Sequence, residues 1–263
     1  MQNAKLMSIS SSPSHKSNFA LCILFRSIMK RKFLSIVLCL SMLLSLLTLA
    51  SCSDKNNPPD GSGTNPPAAE TESIAILYEN DVHCAVEGYS KLAAMKAELK
   101  GVYDHVGVVS SGDFVQGGTL GAVSKGEYII NLMNKVGYDA IALGNHEFDY
   151  QLARLSELNN LSNTKFLSCN FAKVGEDKSY FDSYTIVSYG DVEIAYIGIT
   201  TPSTISSSNP AQFKNEDGEI IYTFNEADMY SLVQANIDAA EKAGADYVIA
   251  LSHIGYSEAG DFT

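Results

Sequence analysis

Beyond residue 31 the chain has a single arginine, Arg154. That scarcity removes the planar, bidentate guanidinium clamp, so a phosphate-bearing ligand must be held by metal ions, lysines or backbone N–H groups. Acidic residues are missing from 1–51, which hold six of the 18 Lys and Arg; the remainder sets 12 basic against 30 acidic residues. A net charge of −18 over that remainder repels nucleic-acid polymers and excludes binding through a basic patch. Cysteine is sparse too. Past residue 52 only Cys84 and Cys169 remain, too few to imply a disulfide framework. Cys84 directly follows His83, but no other thiol accompanies it, so it reads as a small buried residue rather than a soft ligand. No internal repeat is visible.

The N-terminus carries the basic cluster Lys30-Arg31-Lys32, an apolar run from Phe33 to Ala50, and then Leu49-Ala50-Ser51-Cys52. Basic, apolar and small residues in that order are an export signal. The last four residues resemble the lipobox of bacterial lipoproteins, which implies cleavage before Cys52 and a lipid on that residue. An uncleaved transmembrane anchor is the alternative, because the run is almost long enough to span a bilayer; the position of the box favours the lipoprotein. Either way the rest lies outside the cytoplasm, held at a membrane. Met29 stands just before the basic cluster, so residues 1–28 are set aside as an upstream extension. The resulting division is 1–51 export signal, 52–72 lipid-anchored flexible linker and 73–263 folded domain. Ser53 to Thr71 is rich in Ser, Asn, Pro and Gly, as such a tether requires.

From Ser73 onward strands and helices alternate. Ser73–Glu79, Val106–Ser110, Ala140–Leu143, Lys165–Ser168 and Tyr247–Leu251 read as strands. Tyr89–Lys100, Tyr128–Val136, Gln151–Leu161 and Ala227–Ala243 read as helices, from apolar stripes such as Ile129, Leu132, Met133 and Val136. Tyr184–Tyr189 and Val192–Thr200 flank Gly190-Asp191 as a hairpin. Parallel βαβ units with an added hairpin give an α/β sandwich. Arg154 falls off the Leu152, Leu155, Leu158 stripe and reads as a solvated helix residue.

Four short motifs sit at the ends of these strands: Asp81-Val82-His83, Gly112-Asp113, Gly144-Asn145-His146-Glu147-Phe148-Asp149 and Ser252-His253. Asp81, Asp113 and Asn145 are spaced 32 residues apart, about one strand–crossover–strand unit, so their side chains converge at the carboxyl ends of neighbouring strands. Carboxylates, imidazoles and a carboxamide together suit a pair of divalent ions with one carboxylate bridging. Asp81 and His83 would face one side of an extended segment and chelate together. Gly112 lets the chain turn so that Asp113 points inward, and Gly117-Gly118 would leave room for a phosphate near the backbone. Asn145 would bind a metal, while His146 points to the substrate with Asp149 orienting its ring. Glu147 reads as a residue behind the ligands or at the surface. His253 offers an imidazole to the second ion.

These motifs resemble the calcineurin-like metallophosphoesterases. Asn-Asp-Val-His, Gly-Asp-Phe-Val-Gln-Gly-Gly and Gly-Asn-His-Glu-Phe-Asp look more narrowly like the 5′-nucleotidase family, with its cyclic-phosphodiesterase (3′-nucleotidase) and UDP-sugar-hydrolase members. The resemblance runs from about Ile74 to the end. It implies a four-layer α/β/β/α sandwich and extracytoplasmic hydrolysis of nucleotide phosphate esters by water activated between two divalent ions (Zn, Mn, Mg, Ca or Co). By that resemblance Asp81, His83 and Asp113 hold one ion, Asp113 bridges to a second held by Asn145 and His253, and His146 with Asp149 is the catalytic dyad. The expected substrate is a nucleotide or nucleotide-sugar. The family also supplies histidines from a later Gly-His-x-His segment and a nucleoside-binding domain, so the catalytic domain is expected to be incomplete at its C-terminal end, leaving this chain weak or inactive. The runner-up is a surface lipoprotein that binds nucleotide or metal without turnover. An oriented imidazole at His146 speaks against it.

Overall fold

The computed structural model describes residues 19–25 and 72–255. Cys52, most of the signal and the linker lie outside the described residues. Strand β1 (Phe19–Phe25) lies at the edge of a five-stranded sheet, followed in spatial order by β2 (Ser73–Glu79), β3 (His105–Ser110), β4 (Ala140–Ala142) and β5 (Phe166–Leu167). A strand at Phe19–Phe25 differs from the expectation that residues 1–28 stand apart from the fold. The pairs β2–β3, β3–β4 and β4–β5 are parallel. Ile74 to Leu77 are all buried, as expected of a sheet covered on both faces.

Helices α1 (Val86–Leu99), α2 (Gly118–Ser124), α3 (Glu127–Val136) and α4 (Leu152–Leu161) form the crossovers and their extensions. Helix α3 buries Ile129, Ile130, Met133 and Val136 on one stripe. These meet Leu77, Val108 and Ile141 of the sheet in one core. Lys96 reaches from α1 to donate to the Val136 and Gly137 carbonyls, satisfying the exposed carboxyl end of α3. A short antiparallel ribbon pairs β6 (Ala172–Lys173) with β9 (Tyr222–Thr223). A second sheet has the order β10 (Tyr247–His253), β8 (Val192–Thr200) and β7 (Tyr184–Tyr189). Its β10–β8 pair is parallel and β7–β8 is the hairpin. Met229 and Val233 of the last helix, Met229–Lys242, pack against Ile197 and Ile199 of this sheet. The sheets meet where Thr200 Oγ1 donates to the Leu143 carbonyl at 3.0 Å. Helices outside and two sheets within make the α/β/β/α sandwich.

Three local expectations change. Helix α2 carried no periodic signal, because Gly118, Gly121 and small residues occupy it. A Cβ at Gly117 would overlap the His83 carbonyl, so that glycine serves a close backbone approach. The segment after β2 is not extended: Asp81, His83 and Cys84 have φ of 55, 41 and 60°, and Asp113 joins them at 61°. Left-handed backbone at non-glycine residues costs about 1–2 kcal/mol each. It is offset by cross-loop bonds from Asp81 N–H to the Gly112 carbonyl and from His83 N–H to the Asp113 carbonyl at 3.1 and 3.0 Å. Finally, β10 continues through His253, which pairs with Thr200. Among the described residues no helix is long and apolar enough to cross a membrane.

Candidate metal centre

The carboxyl ends of β2, β3 and β10 bring four of the expected ligands, Asp81, His83, Asp113 and His253, around one point, and the loop after β4 adds His146. Asp113, with a side chain only 4% exposed, lies at the bottom. Its Oδ1 accepts from His146 N–H at 2.9 Å, which leaves Oδ2 facing His253 Nε2 at 3.3 Å and His83 Nε2 at 3.8 Å. Asp81 Oδ1 is 3.8 Å from His253 Nε2 and 4.0 Å from His83 Nε2. Two groups of donor atoms therefore form, Asp81–Asp113–His253 and His83–Asp113–His146, each within 4.8 Å. Asp113 belongs to both. The expected allotment placed Asp81 with His83 and kept His146 off the ions; the geometry brings Asp81 to His253 as well, and His146 beside His83.

Two of the imidazoles are oriented from behind. His83 Nδ1 bonds the Gln116 carbonyl at 3.2 Å, and His253 Nδ1 bonds the Ser111 carbonyl at 3.0 Å and Asn80 Oδ1 at 3.2 Å. A carbonyl accepts only from N–H, so each ring carries a proton on Nδ1, and Nε2, which faces the carboxylates, is the nitrogen left for an ion once its own proton is displaced. That is the tautomer a metal ligand needs. Asn80 also donates to Asp81 Oδ2, orienting a carboxylate and an imidazole at once. Its spacing in the sequence carried no sign of this.

The electrostatics show a centre crowded with negative charge. Burial lowers the proton affinity of His253, but the hydrogen bond to Asp113 and the charges of Asp113, Glu147 and Asp81 outweigh it and raise the pKa to about 9. Burial likewise works against the Asp113 anion, yet His253 and the His146 N–H hold its pKa below the usual range. Asp81 is pushed up by burial, with His253 opposing and Asp113 adding to the rise. Imidazolium protons are thus the positive charge that keeps these carboxylates together, a role divalent cations fill more completely.

His146 stands at the rim, its ring 5.2 Å from that of His83. Its Nδ1 bonds Asp149 Oδ2 at 2.6 Å. Burial lowers its pKa, but the Asp149 bond and the Asp113 charge more than offset this and raise it. Asn145 is half-buried at the start of the 3-10 turn His146–Phe148, beside the cluster in the chain. Glu147 is no surface residue: it is fully buried and accepts backbone N–H bonds. Burial and the Asp113 charge raise its pKa to about 7, with those bonds opposing. Arg154 is tied to Glu127 and Glu157. Cys84 is buried, its thiol donating to the Phe114 and Val115 carbonyls.

Strand-end carboxylates and imidazoles on an α/β/β/α sandwich define a metallophosphoesterase. Residues 74–263 match the calcineurin-like phosphoesterase family, and the chain belongs to it. The family's centre holds two divalent metal ions, and the donor set here fits such a centre. Among similar proteins, the snake venom 5′-nucleotidase of Gloydius brevicauda is 32% identical over 73% of this chain and 34% of its own length. Protein UshA of Escherichia coli K12 is 30% identical over 73% of this chain and 36% of its own. The solved 5′-nucleotidase precursor from Thermus thermophilus superposes with a TM-score of 0.58 at 25% identity, covering 70% of this chain and 38% of that one. The chain thus spans about a third of the length of the curated relatives it matches.

Proposed function

We propose that this chain carries the catalytic site of an extracytoplasmic hydrolase of nucleotide phosphate esters. The class covers 5′-nucleotidase, 2′,3′-cyclic phosphodiesterase with 3′-nucleotidase, and UDP-sugar hydrolase activity. The carrying observation is Asp113, whose buried carboxylate is common to both donor groups. Asp81, His83, Asp113, Asn145 and His253 would hold two divalent ions. Those ions would neutralise phosphoryl charge and lower the pKa of water toward neutrality. The 5′-nucleotidases among the relatives support a nucleotide substrate.

His146 acts from the open side. With Nδ1 held by Asp149, its other nitrogen is free to donate to a phosphoryl oxygen or to the leaving group, and the raised proton affinity keeps a proton there for transfer. Asp81 and His83, with side chains 40% and 38% exposed, line the mouth by which the phosphate enters. The order of basic cluster, apolar run and lipobox-like Leu-Ala-Ser-Cys supports placement outside the cytoplasm at a membrane, with Cys52 the residue that would carry a lipid.

The test is hydrolysis of a nucleoside monophosphate, a 2′,3′-cyclic nucleotide and a nucleotide-sugar, read as inorganic phosphate from the first, nucleoside monophosphate from the second, and nucleoside monophosphate with sugar phosphate from the third. Each divalent ion is supplied in turn, against a chelated control. Metal-dependent hydrolysis of at least one of the three is expected of the full-length protein, with this chain the weaker. Metal binding without hydrolysis of any of them by the full-length protein would establish the non-hydrolytic alternative.

A further inference from the structure

We propose that Glu147 is the positioning residue of the metal centre: its carboxylate clamps the loop after β3 to the loop after β4 and so fixes Asp113 relative to Asn145 and His146. The inference rests on the metal-site reading above but concerns a residue to which that reading gives no part.

Glu147 is 0% exposed, and both its oxygens are spent on backbone. Oε2 accepts from Asp113 N–H at 2.8 Å and from Gly144 N–H at 2.7 Å. Oε1 accepts from Phe114 N–H at 2.8 Å and Val115 N–H at 3.2 Å. The bond to Gly144 is the local part, reaching back three residues as an acidic side chain does in a capping box. The other three cross to a loop 32 to 34 residues earlier in the chain, which a turn cap has no need to do.

The clamp is reciprocal. Glu147 holds the backbone of Asp113, while the carboxylate of Asp113 holds the backbone N–H of His146. The loops approach so closely that a Cβ on Gly144 would overlap the Asp113 carboxylate. Asp113 itself has left-handed backbone, with φ 61°. A residue in that conformation persists only where its surroundings over-determine it, and N–H bonds at 113, 114 and 115 do so. Four N–H donors demand four acceptor lone pairs, which a carboxylate has and a carboxamide lacks. Substituting Gln would turn an NH2 group toward backbone N–H groups.

Two measurements on the full chain test this. In the unaltered, metal-free protein, amide hydrogen exchange at Asp113, Phe114, Val115 and Gly144 should be as slow as in β3; fast exchange at these four would overturn the clamp. In Glu147→Gln, folded by circular dichroism, Mn2+ affinity measured by calorimetry should fall tenfold or more, in the range seen when groups behind metal ligands are removed. Glu147→Asp should show the same direction, because its shorter side chain cannot span both loops. Affinity within twofold of the unaltered protein in either variant overturns the proposal. Should neither fold, the exchange result decides alone. Failure of the unaltered chain to bind Mn2+ would instead overturn the metal-site reading, leaving the clamp to be judged by exchange.

Discussion

Asp113 and His146 are locked together by one bond: the His146 N–H donates to Asp113 Oδ1 at 2.9 Å. The bond divides the labour of the carboxylate, since Oδ1 is spent on the loop after β4 and Oδ2 faces His83 and His253. The same bond sets the His146 ring at the rim of the cluster, against His83. Together with the Glu147 bonds, this contact sets the spacing between the groups that would hold the ions and the group that would meet the phosphate.

His146→Ala should keep bound metal and lose most turnover. The ring is spent on Asp149 at one nitrogen and directed to substrate at the other, so the loss should be about a hundredfold or more, as for a removed acid or oxyanion donor. Steady-state hydrolysis with a metal count on the same sample checks it. Metal lost in parallel with activity would make His146 a ligand, as its grouping with His83 and Asp113 allows.

Glu79 gives a pH dependence. It is fully buried at the end of β2, and burial raises its pKa to about 8. Tyr138 and Ser110 offset that burial only in part. An acid with a raised folded pKa binds more protons folded than unfolded, so stability falls as pH rises between about 4.5 and 8. In chelator, Glu79→Gln should flatten that fall and be the more stable at pH 8 by about 1–3 kcal/mol. Parallel denaturation curves at pH 5 and pH 8 would contradict this.

Phe148→Ala should destabilise by about 3–5 kcal/mol. The ring is fully buried and packs edge-on to Phe171 and Phe224 at 5.0 and 5.4 Å. Denaturant midpoints measure the loss. A cost under about 1 kcal/mol would mean that the aromatic cluster closes over the gap.

Cys52→Ser should be exported without lipid. Cys52 is the cysteine of the lipobox-like Leu-Ala-Ser-Cys, and residues 53–71 have almost no apolar side chains with which to hold a membrane. Fatty-acid labelling of cells is the readout, and label persisting on the variant would place the anchor elsewhere.

The strands and the polar motifs at their ends were legible because both signals are local. An apolar run buried on two faces ends in a polar motif, and the spacing of Asp81, Asp113 and Asn145 repeats the length of a βαβ unit. What escaped depends on contacts across the chain. The left-handed backbone from Asp81 to Cys84 is dictated by hydrogen bonds to the loop after β3, and nothing in Asp-Val-His-Cys announces it. Helix α2 has a glycine, Gly121, where Cys84 crowds it, so its period is hidden. Asn80 and Glu147 act on groups 173 and 34 residues away, through contacts that their own neighbours in the chain do not announce.

The account stands on Asp113 as the carboxylate shared by two ions, and a metal count tests that most directly. After gel filtration in Mn2+, the unaltered full chain should carry two ions, Asp81→Asn should weaken one, and Asp113→Asn should lose both, because neutralising a bridge removes a ligand from each site and leaves the cations to repel. An unaltered chain with no more than one ion, or Asp113→Asn retaining two, would contradict it.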